Sequence, residues 1–417
     1  MDVIIGAGAT GLSYASFTNN DYCILEADSE IGGYCKTIKQ DGFVWDYSGP
    51  FFHFRHPELE EYICQFIDKT TLLKCHKHTQ INYKGKYIDF PFQKNIHQLE
   101  KQEFIDCLYD LFCNSHTDYS NFQEMLFCKF GKSISDKFLI PYNEKLYACN
   151  LNTLDPNAMG RFFPYANKEE VIANFKREEN KSYNEYFTYP RGGAIEYMLS
   201  LKHRVPDDKL FFNEKVISID IDRKIVSTNK RDLYYDNLIS TIPFPALLKA
   251  THLLYDESVY SWNQVLVFNL GFDSKGNDIT NNWVYFPDKE LSFYRVGYYD
   301  NIFNTERMSL YVELGFTKDA YIDVERWFVR VMDDLKKSGI VTSQTLISHS
   351  SIIMNPAYVH ITEHSLHDVI AKKKILEQYG IYSIGRYGSW TYCSIEDGMV
   401  EAKNCLSMQK KRSSKNR

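Results

Sequence analysis

The chain opens on a strand, a glycine turn and a helix: DVII at residues 2–5, GAGATG at 6–11 and LSYASF at 12–17. Gly6, Gly8 and Gly11 stand in G-x-G-x-x-G spacing. The first glycine permits a tight turn. The second lets the backbone approach a pyrophosphate. The third lets helix and strand pack closely, and the helix N-terminus, with the amides of Ala9 and Thr10, attracts phosphate. CILEAD at 23–28 reads as the next strand and carries Glu26, 15 positions after Gly11. A carboxylate there accepts hydrogen bonds from ribose hydroxyls. A βαβ unit of this kind predicts an α/β protein with a Rossmann-type dinucleotide-binding domain at its start.

The remainder must fit around that unit. A chain of 417 residues is long for one core and predicts two or three lobes. Helical patterns dominate residues 57–185, interrupted by a hairpin pattern and loop at INYKGKYIDFPFQ, residues 81–93. Strand alternation returns in KVISIDID and NLIST. More strands follow in WNQVLVFNLGF, NNWVYF, LSFYRVGYY and MSLYVELGF, with one helix at IDVERWFVRVMDDLKK. A final strand, IYSI, leads into GRYGSWTY at 385–392 and a last helix. The reading is an interleaved fold. Residues 1–56, 190–245 and 375–409 form the cofactor domain, 57–185 a mainly helical insertion with a nucleotide-binding loop, 246–374 an antiparallel β-sheet substrate domain, and 410–417 a disordered basic tail.

Charge and cysteine usage narrow the partners. A net charge of −6 argues against general nucleic-acid binding. Ten cysteines without C-x-x-C pairs or metal-like spacing are expected to be reduced thiols of a cytoplasmic protein that binds no metal. DVII begins at residue 2, which leaves no expected leader, and no apolar run approaches the roughly 20 residues of a membrane span. The oligomeric state is not legible.

The stretch EADSEIGGYCKT, with Glu26, Ala27 and Gly33, resembles the glycine pair after the ribose-binding acid in the glutathione-reductase-type FAD superfamily, which includes the amine oxidases. No second G-x-G-x-x-G follows that would mark a separate NAD(P)H site. The resemblance implies FAD and places a backbone contact to adenine at Val216. It also places Gly385 and the amides of Asp397, Gly398 and Met399 against the flavin and its ribityl chain. Within that superfamily GRYGSWTY, FPFQKNI at 90–96, PYNEKLY at 141–147, NEYFTYPRGG at 184–193, WVYFPDKELSFYR at 283–295 and NPAYVHI at 355–361 are similar, in order, to segments of eukaryotic-type UDP-galactopyranose mutases.

That resemblance implies a reaction and a site. Such mutases contract a UDP-sugar ring from pyranose to furanose without net redox, through a covalent sugar adduct at N5 of reduced FAD, so an external reductant such as NAD(P)H must prime the flavin. The implied catalytic residues are Arg295, Arg386 and His53. Arg295 and Arg386 are fork donors for the diphosphate. Tyr285, Tyr358 and Tyr392 are hydroxyl donors to it, Phe90, Phe92 and Gln93 form the base loop, and Asn184, Tyr147 and Arg161 complete the substrate contacts.

The departures are specific. Pro50 and Phe51 stand where the family carries a flavin-side His, and His53 is the nearest imidazole; it either replaces that His or packs in the loop. Arg161 is shifted by one position from the family's arginine and either faces the site or forms an ion pair. Phe90 lacks the hydroxyl of the family's Tyr. These departures leave the sugar and the base open. They also keep two other readings in play: a flavin oxidoreductase of the amine oxidase or protoporphyrinogen oxidase type, and a flavoprotein that binds a nucleotide sugar without turnover.

Overall fold

The computed structural model of the protein describes residues 1–49, 51–115, 117–176 and 185–415, at 413–415 the backbone alone. Its first layer is a five-stranded parallel sheet. The strands are, in spatial order, Ile381–Ser383, Asn237–Ser240, Asp2–Ile5, Tyr22–Leu25 and Leu210–Phe211. The first four read IYS, NLIS, DVII and YCIL, and nearly every residue in them is buried. Continuous apolar runs suit a parallel sheet covered on both faces. Helix Ala9–Phe17 follows the first strand, and the long helix Ile395–Lys415 packs beside it. The last strand of the chain thus pairs within the sheet that the first strand begins.

The second layer is a larger sheet. Its path runs Leu346–Met354, Ser261–Phe272, Ser309–Thr317, Arg295–Tyr298, Trp283–Tyr285, Thr79–Tyr83 and Lys86–Asp89, and Val359–His360 adds to the end of the second of these. Alternation sets its faces. In Arg295–Tyr298, Val296 and Tyr298 enter an apolar core shared with Val331 and Leu335 of helix Val324–Lys337, which leaves Arg295 and Gly297 on the other face. Register then places side chains in rows. Tyr285 lies opposite Arg295, and Arg295 opposite Glu313.

Two expectations change. The hairpin Thr79–Tyr83 and Lys86–Asp89 is part of this large sheet through its pairing with Trp283–Tyr285, not part of the helical segment. GRYGSWTY opens in one helical turn, Gly385–Gly388, held by the Gly385 amide donating to Glu401 at 2.8 Å. The basic run from Lys410 is no loose tail as far as Lys415, because the last helix includes it. Arg412 anchors that stretch on the carbonyls of Glu377 and Gln378. No described helix is long and apolar enough to cross a membrane.

Candidate active site

The glycine loop forms a backbone cradle. A Cβ on Gly11 would collide with the Gly6 carbonyl oxygen, so helix and strand pack there as tightly as glycine allows. At Gly8, by contrast, a Cβ would meet nothing within 4 Å among the described residues. Gly6 (φ +101°) bends the chain ahead of both. Helix Ala9–Phe17 begins at Gly8 with no side-chain cap, which leaves its first amides for a ligand. Glu26 accepts from the amides of Ala7 at 2.7 Å and Asp28 at 2.8 Å, which fixes its carboxylate beside the loop. Ala27 lies between Glu26 and Asp28. Segment 213–216 runs alongside: the Glu214 amide donates to the Glu26 carbonyl at 2.9 Å, two residues before Val216. The Gly32 amide donates to Ala7 at 3.0 Å and folds Gly33 over Gly8.

The far end of the chain closes this cradle. Gly385 and Gly398 both face the Thr10 side chain, which a Cβ at either would crowd at 2.6 and 2.5 Å. Met399 is buried beside them. Two of the amides expected against the flavin are already committed: Asp397 donates its amide to the Ser394 hydroxyl at 3.2 Å and Gly398 to the Ser394 carbonyl at 3.3 Å. The Asp397 carboxylate accepts from the Ser394 amide at 2.8 Å and from Arg161 at 2.7 Å, and Arg55 reaches its other oxygen at 3.0 Å. Burial pushes the Asp397 carboxyl up, but these partners outweigh it and hold it below the usual carboxylate range. Arg161 is therefore in an ion pair with the last helix, and its guanidinium also lies over the Phe162 ring. An uncapped helix start, a space opposite Gly8 and an oriented acid together fit a dinucleotide-type flavin such as FAD.

A cavity of about 160 Å³ opens further along the molecule. Its lining includes His53, Phe90, Tyr285, Arg295, Tyr358 and Tyr392, six of the residues expected at a substrate site. Phe90 and Tyr285 touch with ring centroids 5.3 Å apart, and Tyr358 stacks on Tyr392 at 5.7 Å. Arg386 lies against both of these tyrosines, 5.3 and 4.7 Å from their centroids, and donates to the Cys393 carbonyl at 3.2 Å. Tyr147 is fully buried behind Tyr358. Phe92 is buried against Phe138, and Gln93 donates to the Pro164 carbonyl. Asn184 lies outside the described residues.

Arg295 differs from the expectation of an open fork. Its Nε and Nη2 donate to the Glu313 carboxylate at 2.7 and 2.8 Å. Glu313 has 0 % side-chain exposure and Arg295 17 %, so the pair is a buried one. One edge of the guanidinium is thus committed, and Nη1 is the part left toward a ligand. Ser48 also donates to Glu313 at 2.5 Å, tying the loop of Gly49 to the same carboxylate.

His53 does stand in the cavity wall. Its Nδ1 lies 2.9 Å from the Tyr186 carbonyl. A carbonyl only accepts, so Nδ1 carries the proton and Nε2 the lone pair. Burial pushes this imidazole down to about 4, against the pull of that carbonyl. Phe51 is stacked on Trp283 at 5.0 Å and 11°.

Of the lining residues that escaped the sequence reading, Lys77, Tyr142, Asn143 and Trp283 carry polar side-chain atoms. Glu313 also escaped it. Asn143 sits inside PYNEKLY; its Nδ2 caps the Leu139 carbonyl at 2.6 Å, while its buried Oδ1 has no partner among the described residues. Its signal was its place in PYNEKLY, one of the segments that carry the resemblance. Glu313 had none, because only strand register shows that it faces Arg295. Among the described residues there is no cluster fit to hold a metal ion.

The family model of flavin containing amine oxidoreductases matches residues 8–345. Among solved structures, reduced UDP-galactopyranose mutase resembles this chain with a TM-score of 0.89 at 24% identity, over 98% of this chain and 94% of that one. An Exiguobacterium protein assigned to protoporphyrinogen oxidase gives 0.78 at 16% identity, over 98% of both. Cyclohexylamine oxidase from Brevibacterium oxydans gives 0.68 at 12%, over 98% of this chain and 99% of that one. At these identities the likeness is one of fold, and it agrees with the expected α/β class with a Rossmann-type cofactor domain and a β-sheet domain.

Proposed function

The chain belongs to the flavin-containing amine oxidoreductase family, and on that premise we propose that it is an FAD-dependent nucleotide-sugar mutase. Its substrate is UDP-galactopyranose or a related nucleotide sugar, and its product the furanose isomer. The observation that carries this reading is convergence. Phe90, Tyr285, Arg295, Tyr358 and Tyr392 come from four distant segments and line one cavity, with Arg386 packed on its tyrosine wall. A polyamine pocket has no need of two arginines beside three tyrosine hydroxyls; a leaving diphosphate does.

Bound and reduced, FAD supplies the nucleophile for the anomeric carbon, and NAD(P)H or another reductant primes it. The chain's own residues do the rest. Arg386 and the Nη1 side of Arg295 hold the diphosphate as it departs and returns. Tyr285 and Tyr358 donate hydroxyl hydrogens to it, and burial keeps both phenols protonated by raising them above the ordinary tyrosine value. His53 is a neutral acceptor through Nε2 for a sugar hydroxyl. The aromatic walls exclude water from the ring-opened sugar. Gln93 keeps a buried carbonyl oxygen without a partner among the described residues, an acceptor of the kind a base N–H satisfies.

One observation favours the oxidoreductase reading: Phe51 and Trp283 stack as an apolar wall where the mutases carry a His. A single experiment separates the two. Protein reduced with dithionite under argon is given UDP-galactose and related nucleotide sugars, and the products are resolved by chromatography. The mutase yields furanose only with reduced flavin and without stoichiometric loss of reductant. Absence of furanose from every nucleotide sugar, with flavin reoxidation coupled to an amine or porphyrinogen, overturns it.

A further inference from the structure

One carboxylate grips both ends of the turn that carries Arg386. Glu401 lies on the last helix, Ile395–Lys415. Its Oε2 accepts from the Gly385 amide at 2.8 Å, and its Oε1 accepts from the Ser389 hydroxyl. The turn Gly385–Gly388 lies between those two points, with Arg386 on it. Lys373, from helix Glu363–Gln378, completes the arrangement: it donates to the Ser389 hydroxyl oxygen at 3.0 Å and lies 3.5 Å from the Glu401 carboxylate. On one side of the turn, Ser383 donates to the Gly388 carbonyl at 2.7 Å. On another, a Cβ on Gly385 would crowd Thr10 of the glycine loop. The turn is thus wedged between the cofactor cradle and the last helix.

We infer that Glu401 is a positioning residue for the proposed reaction: through the Gly385–Ser389 turn it holds Arg386 at a fixed place relative to the flavin cradle. This rests on the nucleotide-sugar reading, in which Arg386 meets the leaving diphosphate, and adds to that reading a residue it did not contain. The need for such a residue follows from how the two arginines are held. Arg295 is fixed by its own fork to Glu313. Arg386 has one hydrogen bond, to the Cys393 carbonyl at 3.2 Å, and two tyrosine rings. Contact with a ring face attracts a guanidinium but does not direct it as a hydrogen bond does. Its backbone is soft as well. A single helical turn is marginal by itself, and glycines at 385 (φ +83°) and 388 give this one wide conformational freedom. Glu401 supplies what the turn lacks, a charged acceptor at each end on a long helix.

The test is a double-mutant cycle on the flavin-loaded protein reduced with dithionite, read as kcat/KM for the nucleotide sugar that wild type converts. The variants are Glu401→Ala, Arg386→Ala and the two combined, with Glu401→Gln beside them. Glu401→Ala should lower kcat/KM about 10- to 100-fold, the weight of a misplacement on the order of 1 Å. Glu401→Gln keeps an oxygen for the Gly385 amide and offers its own amide to the Ser389 hydroxyl, so it should come within about threefold of wild type. Added to Arg386→Ala, Glu401→Ala should cost less than about twofold more, because the group it positions is gone. Losses that multiply mean a merely structural role. They overturn this inference and leave the nucleotide-sugar reading standing, as does wild-type kcat/KM in Glu401→Ala. Should Glu401→Ala not fold, Ser389→Ala removes one end of the grip and goes through the same cycle, with an expected loss of about 3- to 10-fold only where Arg386 is present. A wild-type protein that converts no nucleotide sugar overturns the reading and this inference with it.

Discussion

The two halves of the site are built on opposite principles. The flavin end is backbone: glycines, amides and helix starts, with few side chains that matter. The substrate end is side chain: rings, hydroxyls and guanidinium groups from segments some 300 residues apart. A backbone site is encoded locally, in consecutive residues, and fails when anything is added to it. A side-chain site is encoded in register and packing, and fails when something is taken away.

The sharpest way to break that contrast is to add carbon to the cradle. Gly11→Val drives a side chain into the Gly6 carbonyl, where helix and strand have no room. It should cost about 3 kcal/mol or more of stability and leave no flavin on the purified protein. Gly8→Ala should behave differently, because its Cβ enters space that the protein itself does not fill. The flavin-free variant should melt within a few degrees of flavin-free wild type, yet retain flavin at least tenfold less well. Flavin absorbance per mole of protein, together with thermal melts, measures both. Full flavin retention by Gly8→Ala would show that no cofactor approaches this glycine.

At the substrate end the comparison sharpens into one between two arginines. Arg295 is half of a buried ion pair, whereas Arg386 rests on tyrosine rings and a carbonyl. Arg295→Ala leaves Glu313 as a buried charge without its partner and should cost roughly 3–5 kcal/mol of stability, read by urea unfolding of the flavin-loaded protein. Arg386→Ala should cost under about 1 kcal/mol of stability but lower kcat/KM for the nucleotide sugar by roughly 30- to 1000-fold, or 2–4 kcal/mol of transition-state stabilisation. Flavin content should stay at the wild-type level. The assignment fails if both variants lose stability alike, or if Arg386→Ala keeps full turnover.

The same contrast explains how much could be read from the sequence. Gly6, Gly8, Gly11 and Glu26 were legible because their roles need only short-range spacing and the strand–helix–strand context. Tyr285, Arg295, Tyr358, Arg386 and Tyr392 were legible as a set through ordered resemblance, and the structure brings the set together. What the resemblance could not carry is which partners each side chain already holds. Glu313 reaches Arg295 through cross-strand register, and Arg161 reaches Asp397 across 236 positions of sequence. Lys77 was hidden because its hairpin was assigned to the helical segment, when it pairs in the large sheet. Each of these is a long-range pairing, and long-range pairing is what a motif does not contain.

The smallest expected effect concerns His53, a side chain in the wall of the substrate cavity. Its imidazole titrates near 4 in the folded protein and near 6.5 when unfolded. Between those values the unfolded chain holds a proton that the folded chain lacks. Stability contributed by the neutral ring is therefore complete above about 6.5 and declines as the pH falls toward 4. From pH 6.5 to 5 the decline amounts to about 2 kcal/mol. Asp46 and Asp300, both pushed up to about 6 by burial, act with the opposite sign: their folded forms keep protons longer, so they favour the folded state as the pH falls through 6. The measurement must accordingly be a difference. Unfolding free energies of wild type and His53→Gln, taken at half-unit steps from pH 7 to 5, should converge or cross as wild type alone loses the His53 contribution. A difference that stays flat means that burial does not hold the ring neutral below pH 6.5.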